Sequence, residues 1–128
     1  MPEQPPVMVL VTMQRMCARL IRLGADVALK QGCPLKVVHV ASDPNVSPSQ
    51  GKIDAQTLNY LYALANEAGA EMNVLTSDVL VTAVAEFAAS HQVKLIIMGG
   101  GEQASGIAET LSGMLPGVKI TVLDEETV

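Results

Sequence analysis

The apolar residues of this chain follow two periods that alternate along its length. Short continuous runs, of which residues 7–11 and 95–98 are examples, are typical of strands that are buried on both faces. Between the runs, apolar residues recur every three or four positions, as they do in residues 17–28, which is typical of one face of a helix. Glycine and proline mark the ends of these stretches. The pattern predicts five strands and four helices in strict alternation.

Nine elements are predicted along the chain. The strands cover residues 7–11, 35–41, 72–75, 95–98 and 118–123. The first helix begins at Cys17, and Gly32 and Pro34 end it. The apolar stripes of the other three helices consist of Leu58, Leu61, Tyr62, Ala65 and Ala68, of Leu80, Ala83, Val84, Phe87 and Ala88, and of Ile107, Ala108, Leu111, Met114 and Leu115. We expect Ser77 or Asp78 to cap the third helix.

This alternation predicts one α/β domain of Rossmann-like type over residues 1–128, in which 1–6 and 124–128 are flexible ends. Strands joined by helical crossovers form a parallel sheet, and right-handed crossovers place two helices on each face. With the strand order 3-2-1-4-5, the ligand cleft lies at the carboxyl ends of the first and fourth strands. Residues 12–17 and 99–105 would then face the cleft.

Composition narrows the range of functions. Of the 128 residues, 49% are hydrophobic but only 2% are aromatic, so the core is expected to be aliphatic. The net charge of −5 disfavours a nucleic-acid partner, which would need a basic face. No apolar run reaches the roughly 18 residues of a membrane span, and the start of the chain lacks the regions of a signal peptide. We therefore predict a cytoplasmic protein without a membrane partner.

The polar residues and glycines around the predicted cleft are the candidate ligand contacts. They are Thr12 and Gln14 after the first strand, and Gly99, Gly100, Gly101 and Ser105 after the fourth. A glycine run between a strand and a helix can hold an anion on its backbone N–H groups, but it also serves as a simple tight turn. Glu102 places a negative charge in this loop, and no Gly-Lys-Ser or Gly-Lys-Thr follows it. Both interpretations stay open.

The cysteines and histidines show no pattern of catalysis or metal binding. Cys17 and Cys33 form no Cys-x-x-Cys pair, so no metal site is expected. Cys17 stands near a helix start, where the dipole lowers a thiol pKa. It also belongs to the apolar stripe, so we expect a buried, unreactive thiol, with a redox sensor as the alternative. His39 lies between two valines of a central strand, which favours a packed, hydrogen-bonded histidine over a catalytic one; no catalytic residue is assigned, and no enzyme activity is expected.

Four segments of the sequence resemble the universal stress protein family. They are VMVLVTMQ at the first strand, LKVVHVAS at the second, VKLIIMGGG at the fourth and PGVKITVL at the fifth. The helix CARLIRLGADVAL also resembles the stress-protein-like domain of potassium-sensing bacterial histidine kinases. The resemblance covers most of the chain and implies the same Rossmann-like fold and a role in stress response.

ATP-binding members of that family have an Asp after the first strand, a Val at the end of the second, and a G-x-x-G loop followed nine residues later by G-S or G-T. Val40 and Gly99 match this pattern. Glu102 replaces the second glycine, Ser112 and Gly113 stand in reversed order, and no Asp follows the first strand. The resemblance thus implies a non-catalytic module with a degraded ATP motif, which senses a small ligand or serves as a dimeric interaction unit. Genuine ATP or AMP binding is the alternative, and no cofactor is otherwise expected.

The fifth strand is expected at an edge of the sheet. Val118, Ile120 and Val122 recur at every second position and predict one apolar face along it. An exposed edge needs to be paired or blunted, and members of the family often dimerise through this strand. The resemblance therefore implies a two-fold homodimer through these residues, with a small anion or a nucleotide as the other expected partner.

Overall fold

A computed structural model describes residues 5–11, 17–41, 55–76, 79–99 and 104–123 of the chain. Nine elements alternate along these ranges, as predicted: β1 (Val7–Leu10), α1 (Cys17–Gln31), β2 (Leu35–Ala41), α2 (Ala55–Glu67), β3 (Glu71–Thr76), α3 (Leu80–Ser90), β4 (Leu95–Gly99), α4 (Ala104–Met114) and β5 (Lys119–Leu123). Among these described elements, no helix is long and apolar enough to span a membrane.

The five strands form one parallel sheet in the order β3-β2-β1-β4-β5, which confirms the predicted topology. The central strand, β1, pairs with β2 on one side and with β4 on the other. All four of its residues are buried, which explains why its sequence is an unbroken apolar run. β3 and β5 form the two edges of the sheet.

The core consists of two apolar layers, one on each face of the sheet. Val7 and Val9 belong to the layer beneath α1 and α2, whereas Met8 and Leu10 belong to the layer beneath α3 and α4. Because successive side chains of a strand point to opposite faces, β1 contributes to both layers. This arrangement confirms the prediction of two helices on each face.

Helix α1 approaches β1 closely at Gly24. A Cβ atom at this position would overlap Cγ2 of Val9 and would lie 3.0 Å from Cδ1 of Leu35. Both neighbours are buried, so neither has free space into which it could move. Gly24 is therefore needed for the distance between α1 and the sheet.

Three of the four helices end in the same type of backbone turn. A residue with positive φ follows each of them: Gly32 (68°), Gly69 (70°) and Gln92 (58°). The N–H of the next residue donates to the carbonyl of a buried alanine: Cys33 to Ala28 at 2.8 Å, Ala70 to Ala65 at 2.8 Å, and Val93 to Ala88 at 2.9 Å. These bonds satisfy carbonyls that a helix end leaves open. Gln92 thus holds a conformation that glycine adopts more readily.

Replacing Gln92 by glycine is expected to raise the free energy of unfolding by about 0.5–1 kcal/mol. The left-handed conformation costs an L-residue roughly 1–2 kcal/mol, and the greater entropy of glycine in the unfolded chain offsets part of the gain. Urea denaturation measures the change. Gln92→Ala is the matched control, since alanine also removes the side chain but keeps the strain, and equal stabilities of the two variants would contradict the prediction.

The buried stripes of α2 and α4 are narrower than predicted. Tyr62 and Met114 were expected on these stripes, but their side chains are 48% and 45% exposed. Leu61 and Leu111 are almost completely buried. Tyr62 directly follows Leu61, so it is rotated from the buried direction by about 100° around the helix axis. A helix that packs on one face of a sheet buries only a limited sector, so side chains at its margin reach solvent.

The start of α3 also differs from the prediction. Val79 occupies the N-cap position with an extended backbone (φ −118°) and makes no side-chain capping bond. Neither Ser77 nor Asp78 is the N-cap residue, and both lie outside the described residues. The helix therefore begins one or two residues later than the polar sequence suggested.

Strand β5 lies at the edge of the sheet, as predicted, but its apolar face is not free. Val118 and Ile120 are partly buried and pack against the layer beneath α3 and α4. Val122, on the same face, is 39% exposed. Since α4 packs against β5, most of the apolar face that was predicted to contact a partner is covered within the domain. The exposed part of this face is its end at Val122.

Candidate functional site

At the carboxyl edge of the sheet, the pairing of β1 ends before the pairing of its neighbours β2 and β4. The last paired residue of β1 is Leu10, opposite Val38 on β2 and Met98 on β4. β2 continues alongside β3 to Ala41, and β4 continues alongside β5 to Gly99. We call this part of the carboxyl edge, from Val40 on β2 across the end of β1 to Gly99 on β4, the β1 notch; residues 12–16 and 100–103, which follow β1 and β4, lie outside the described residues. It coincides with the point where the strand order reverses, which is where open α/β sheets bind their ligands.

Two of the predicted ligand residues flank this notch. Val40 lies on the β2 side and Gly99 on the β4 side, and both are partly buried. β1 separates the two strands, so they lie two strand spacings, or about 10 Å, apart, and Val11, which follows β1, lies between them with its N–H bonded to the carbonyl of Val38. The other candidates are Thr12, Gln14, Gly100 and Gly101, which lie outside the described residues, and Ser105, which is in α4 but whose side chain is not described.

Among the described residues, His39 is a polar residue next to the end of β1. Its Nδ1 atom lies 2.8 Å from the carbonyl oxygen of Val11, and the ring is partly buried. The predicted packed, hydrogen-bonded histidine is confirmed. The sequence did not indicate which group it binds, although the difference in length between the first two strands could have suggested an unpaired carbonyl beyond β1.

The lysines that begin strands lie at the opposite edge of the sheet, as expected from their positions. Lys36 forms an ion pair with Glu71 at 2.7 Å, and Lys94 and Lys119 stand side by side at the starts of β4 and β5. The hydrogen bond from Lys36, followed by one from Asn73, lowers the pKa of Glu71 below its ordinary value of 4.5. These lysines therefore supply no positive charge to the notch.

The reversed pair Ser112 and Gly113 lies far from the notch. Both residues are exposed in the last turn of α4, which starts at the carboxyl edge with Ala104 and runs toward the opposite edge. Eight residues of helix correspond to about 12 Å. A phosphate group in the notch could not reach this pair.

The described residues offer no metal cluster and no reactive thiol at the notch. Within the described ranges, no group of three His, Cys, Asp or Glu side chains could hold a metal ion. Cys33 is a free, partly buried cysteine at the turn before β2, at the other edge of the sheet. The backbone of Cys17 begins α1 as predicted, but its side chain is not described, so its burial and reactivity stay predictions.

Comparison with known proteins identifies the fold. No family model matches the sequence, and no curated protein matches it. Among solved structures, a universal stress protein family member from Burkholderia pseudomallei has a TM-score of 0.66 and 14% identity, over 93% of this chain and 95% of that one. The universal stress protein from Archaeoglobus fulgidus in complex with dAMP has a TM-score of 0.58 and 17% identity, over 94% and 97%. A universal stress protein in complex with cAMP has a TM-score of 0.60 and 17% identity, over 98% and 100%.

These comparisons establish a likeness of fold. The strand order, the parallel pairing and the four helices are those expected for universal stress proteins, and the likeness extends over nearly the whole of each chain. Sequence identities of 14–17% carry no residue roles from one protein to another. Several structural neighbours of this chain are thus universal stress proteins.

Proposed function

We propose that this chain is a non-catalytic universal stress protein that binds an adenine mononucleotide in the β1 notch. The observation that carries the proposal is the early end of β1 between β2 and β4, at the point where such sheets bind ligands. Val40 and Gly99, which match the family pattern, flank this opening. Two structural neighbours are complexes with dAMP and cAMP, both of which are adenine mononucleotides.

A single phosphate fits the residues of this chain better than a triphosphate. Glu102 follows the glycine run in sequence and disfavours additional negative charge. Ser112 and Gly113 lie at the far end of α4, and Lys36 is engaged by Glu71 at the opposite edge. These features support a degraded ATP motif, whereas a genuine ATP-binding stress protein is the alternative.

AMP and cAMP are expected to stabilise the protein, and ATP with Mg²⁺ is expected to stabilise it less at the same concentration. A ligand at one hundred times its Kd raises the free energy of unfolding by about 2.7 kcal/mol, which corresponds to several degrees in melting temperature. Thermal-shift titration with each nucleotide measures this. A larger shift with sub-millimolar ATP and Mg²⁺ would favour the alternative, and no shift with AMP or cAMP would refute the proposed ligand.

Two valine variants locate the binding site in that experiment. Val40→Ala removes apolar contact area at the notch and should weaken the AMP response. Val27→Ala is the matched control. Val27 is also partly buried, but it lies in the second half of α1 and packs against the core layer beneath α1 and α2. Equal loss of AMP binding in both variants would show that stability, rather than the notch, controls binding.

The chain is further expected to form a two-fold homodimer through the edge strand β5. Val122 is the exposed member of the predicted contact residues, so Val122→Asp should separate the protomers while the fold is kept. Analytical ultracentrifugation at tens of micromolar, where standard-sized interfaces are usually occupied, measures the state. A wild-type monomer at that concentration would contradict the dimer.

The remaining features of this proposal come from the sequence alone. A role in stress response and a cytoplasmic location are what the family resemblance implies. A thiol redox sensor at Cys17 is the weakest alternative. Its test is the rate of thiol labelling in the native protein, since a buried thiol reacts more slowly than free cysteine.

A further inference from the structure

Helices α1 and α2 leave a solvent-facing groove between them on one side of the sheet. It has a volume of about 520 Å³. Four partly buried apolar residues line it, namely Ala18 and Ala25 on α1 and Leu64 and Ala68 on α2. Three of these side chains are a single methyl group, so they do not fill the space between the two helices. The groove can therefore accept an apolar side chain from outside the domain.

Leu29 is an apolar side chain that the domain leaves uncovered. It is 82% exposed, more than any other large hydrophobic residue in the described part of the chain. It shares a surface stripe of α1 with Ala18 and Ala25, because positions 18, 22, 25 and 29 recur every three or four residues. Ala18 and Leu29 lie eleven residues apart, or about 16 Å along the helix. A second α1 that runs antiparallel over the first would thus place its Leu29 beside Ala18, and the reciprocal contact would form at the same time.

The charged residues on the rim of the groove complement a second copy of themselves. Arg22 and Asp26 stand exposed on α1, and Glu67 on α2. In the part of the chain that the structure describes, none of these three side chains takes part in an ion pair or a hydrogen bond. Arg22 precedes Asp26 by four residues, which is the less favourable order for a pair within one helix. In an antiparallel pair of α1 helices centred near position 24, Arg22 of each protomer faces Asp26 of the other.

We propose that the face formed by α1 and α2 is an interface at which two copies of this chain pack around a two-fold axis. Such an interface uses the same surface on both protomers, and the antiparallel contact meets this condition: Leu29 of each protomer enters the groove of the other, and two Arg22–Asp26 ion pairs border it. The interface is separate from the proposed contact at β5, whose residues Val118 and Ile120 pack in the layer on the opposite face of the sheet. With both interfaces formed, the chain assembles into more than a dimer.

Replacing Leu29 by serine is expected to break the contact between the α1–α2 faces. Analytical ultracentrifugation at tens of micromolar should show an assembly larger than a dimer for the wild type, a dimer for Leu29→Ser, a dimer for Val122→Asp, which disrupts the β5 contact, and a monomer for the double variant. In the Val122→Asp protein, Leu29→Ser should raise the dimer Kd at least about tenfold, because the burial of one leucine side chain is lost. Met114→Ser is the matched control, since Met114 is also an exposed apolar residue of a helix but lies on α4, and it should leave the assembly unchanged.

An exchange of charges tests the antiparallel arrangement. Arg22→Glu or Asp26→Arg brings like charges together across the interface and should weaken association, whereas the variant with both changes restores opposite charges and should associate again. Both residues are exposed, so urea denaturation should show that every variant keeps its fold. Unchanged association in Leu29→Ser, a monomeric Val122→Asp protein, or single losses that the double charge variant does not recover would overturn the proposal. A wild-type dimer that Leu29→Ser separates and Val122→Asp leaves intact would support it and refute the β5 contact instead.

Discussion

Replacing Gly24 by alanine should lower the free energy of unfolding by about 2 kcal/mol. The new Cβ would overlap Cγ2 of Val9, a fully buried side chain of the central strand, so α1 or β1 must shift. Overpacking of this kind costs typically 1–3 kcal/mol, and it outweighs the gain of up to about 1 kcal/mol that alanine has over glycine in a helix. Urea denaturation of the two proteins measures the difference.

Gly113 offers the matched control for this change. It is also a helical glycine, but a Cβ at Gly113 would meet no atom within 4 Å. Gly113→Ala should therefore stabilise the protein by up to about 1 kcal/mol. The combination of Gly24→Ala with Val9→Ala should cost less than the sum of the single changes, because it removes the overlapping methyl group. If the loss of unfolding free energy in the double variant equals the sum of the single losses, the overlap with Val9 is not the reason why position 24 excludes a side chain.

Ile120→Asp should lower the free energy of unfolding by roughly 2–4 kcal/mol. The side chain of Ile120 is partly buried against the layer beneath α3 and α4, so aspartate would place a charge against apolar groups. The change therefore acts on the fold of each protomer before it acts on any contact between protomers. Urea denaturation at low protein concentration separates the two effects.

Val122→Asp is the comparison that makes the Ile120 result interpretable. Val122 lies on the same face of β5 but is 39% exposed, and a substitution at such a surface position usually changes stability by less than about 0.5 kcal/mol. Similar losses in the two variants would show that Ile120 is not held in the core. A large loss at Ile120 with a small loss at Val122 would confirm that the face of β5 is divided between core and surface.

The order of elements was predictable because period and burial agree in most of the described strands and helices. β1 is buried on both faces and its sequence is continuously apolar, so its place at the centre of the sheet follows directly from the pattern. The same reasoning could not place Tyr62 or Met114, because a three- or four-residue period does not show how wide a sector the sheet covers. Backbone features were also invisible to the pattern: Gln92 adopts positive φ although glycine is the residue that usually signals it.

The site was less predictable than the fold, and His39 shows why. A histidine in a central strand is compatible with packing, catalysis or hydrogen bonding, and its role depends on where a neighbouring strand stops. The point at which β1 stops depends on its pairing with both β2 and β4. A local stretch of sequence carries no information about that pairing. Val40 and Gly99 are candidate ligand residues because the family resemblance indicates them, and the position of β1 between their strands is given by the sheet topology.

The participation of β1 in both apolar layers has a consequence for how binding and unfolding are coupled. Neither layer can lose its structure without exposing side chains of the strand that the other layer also needs, so the two halves should open as one cooperative unit. A ligand bound at the proposed site would contact the protein at the end of that shared strand. Its binding should therefore raise the free energy of opening of the whole domain, and slow backbone amide exchange in both layers together rather than in one half alone.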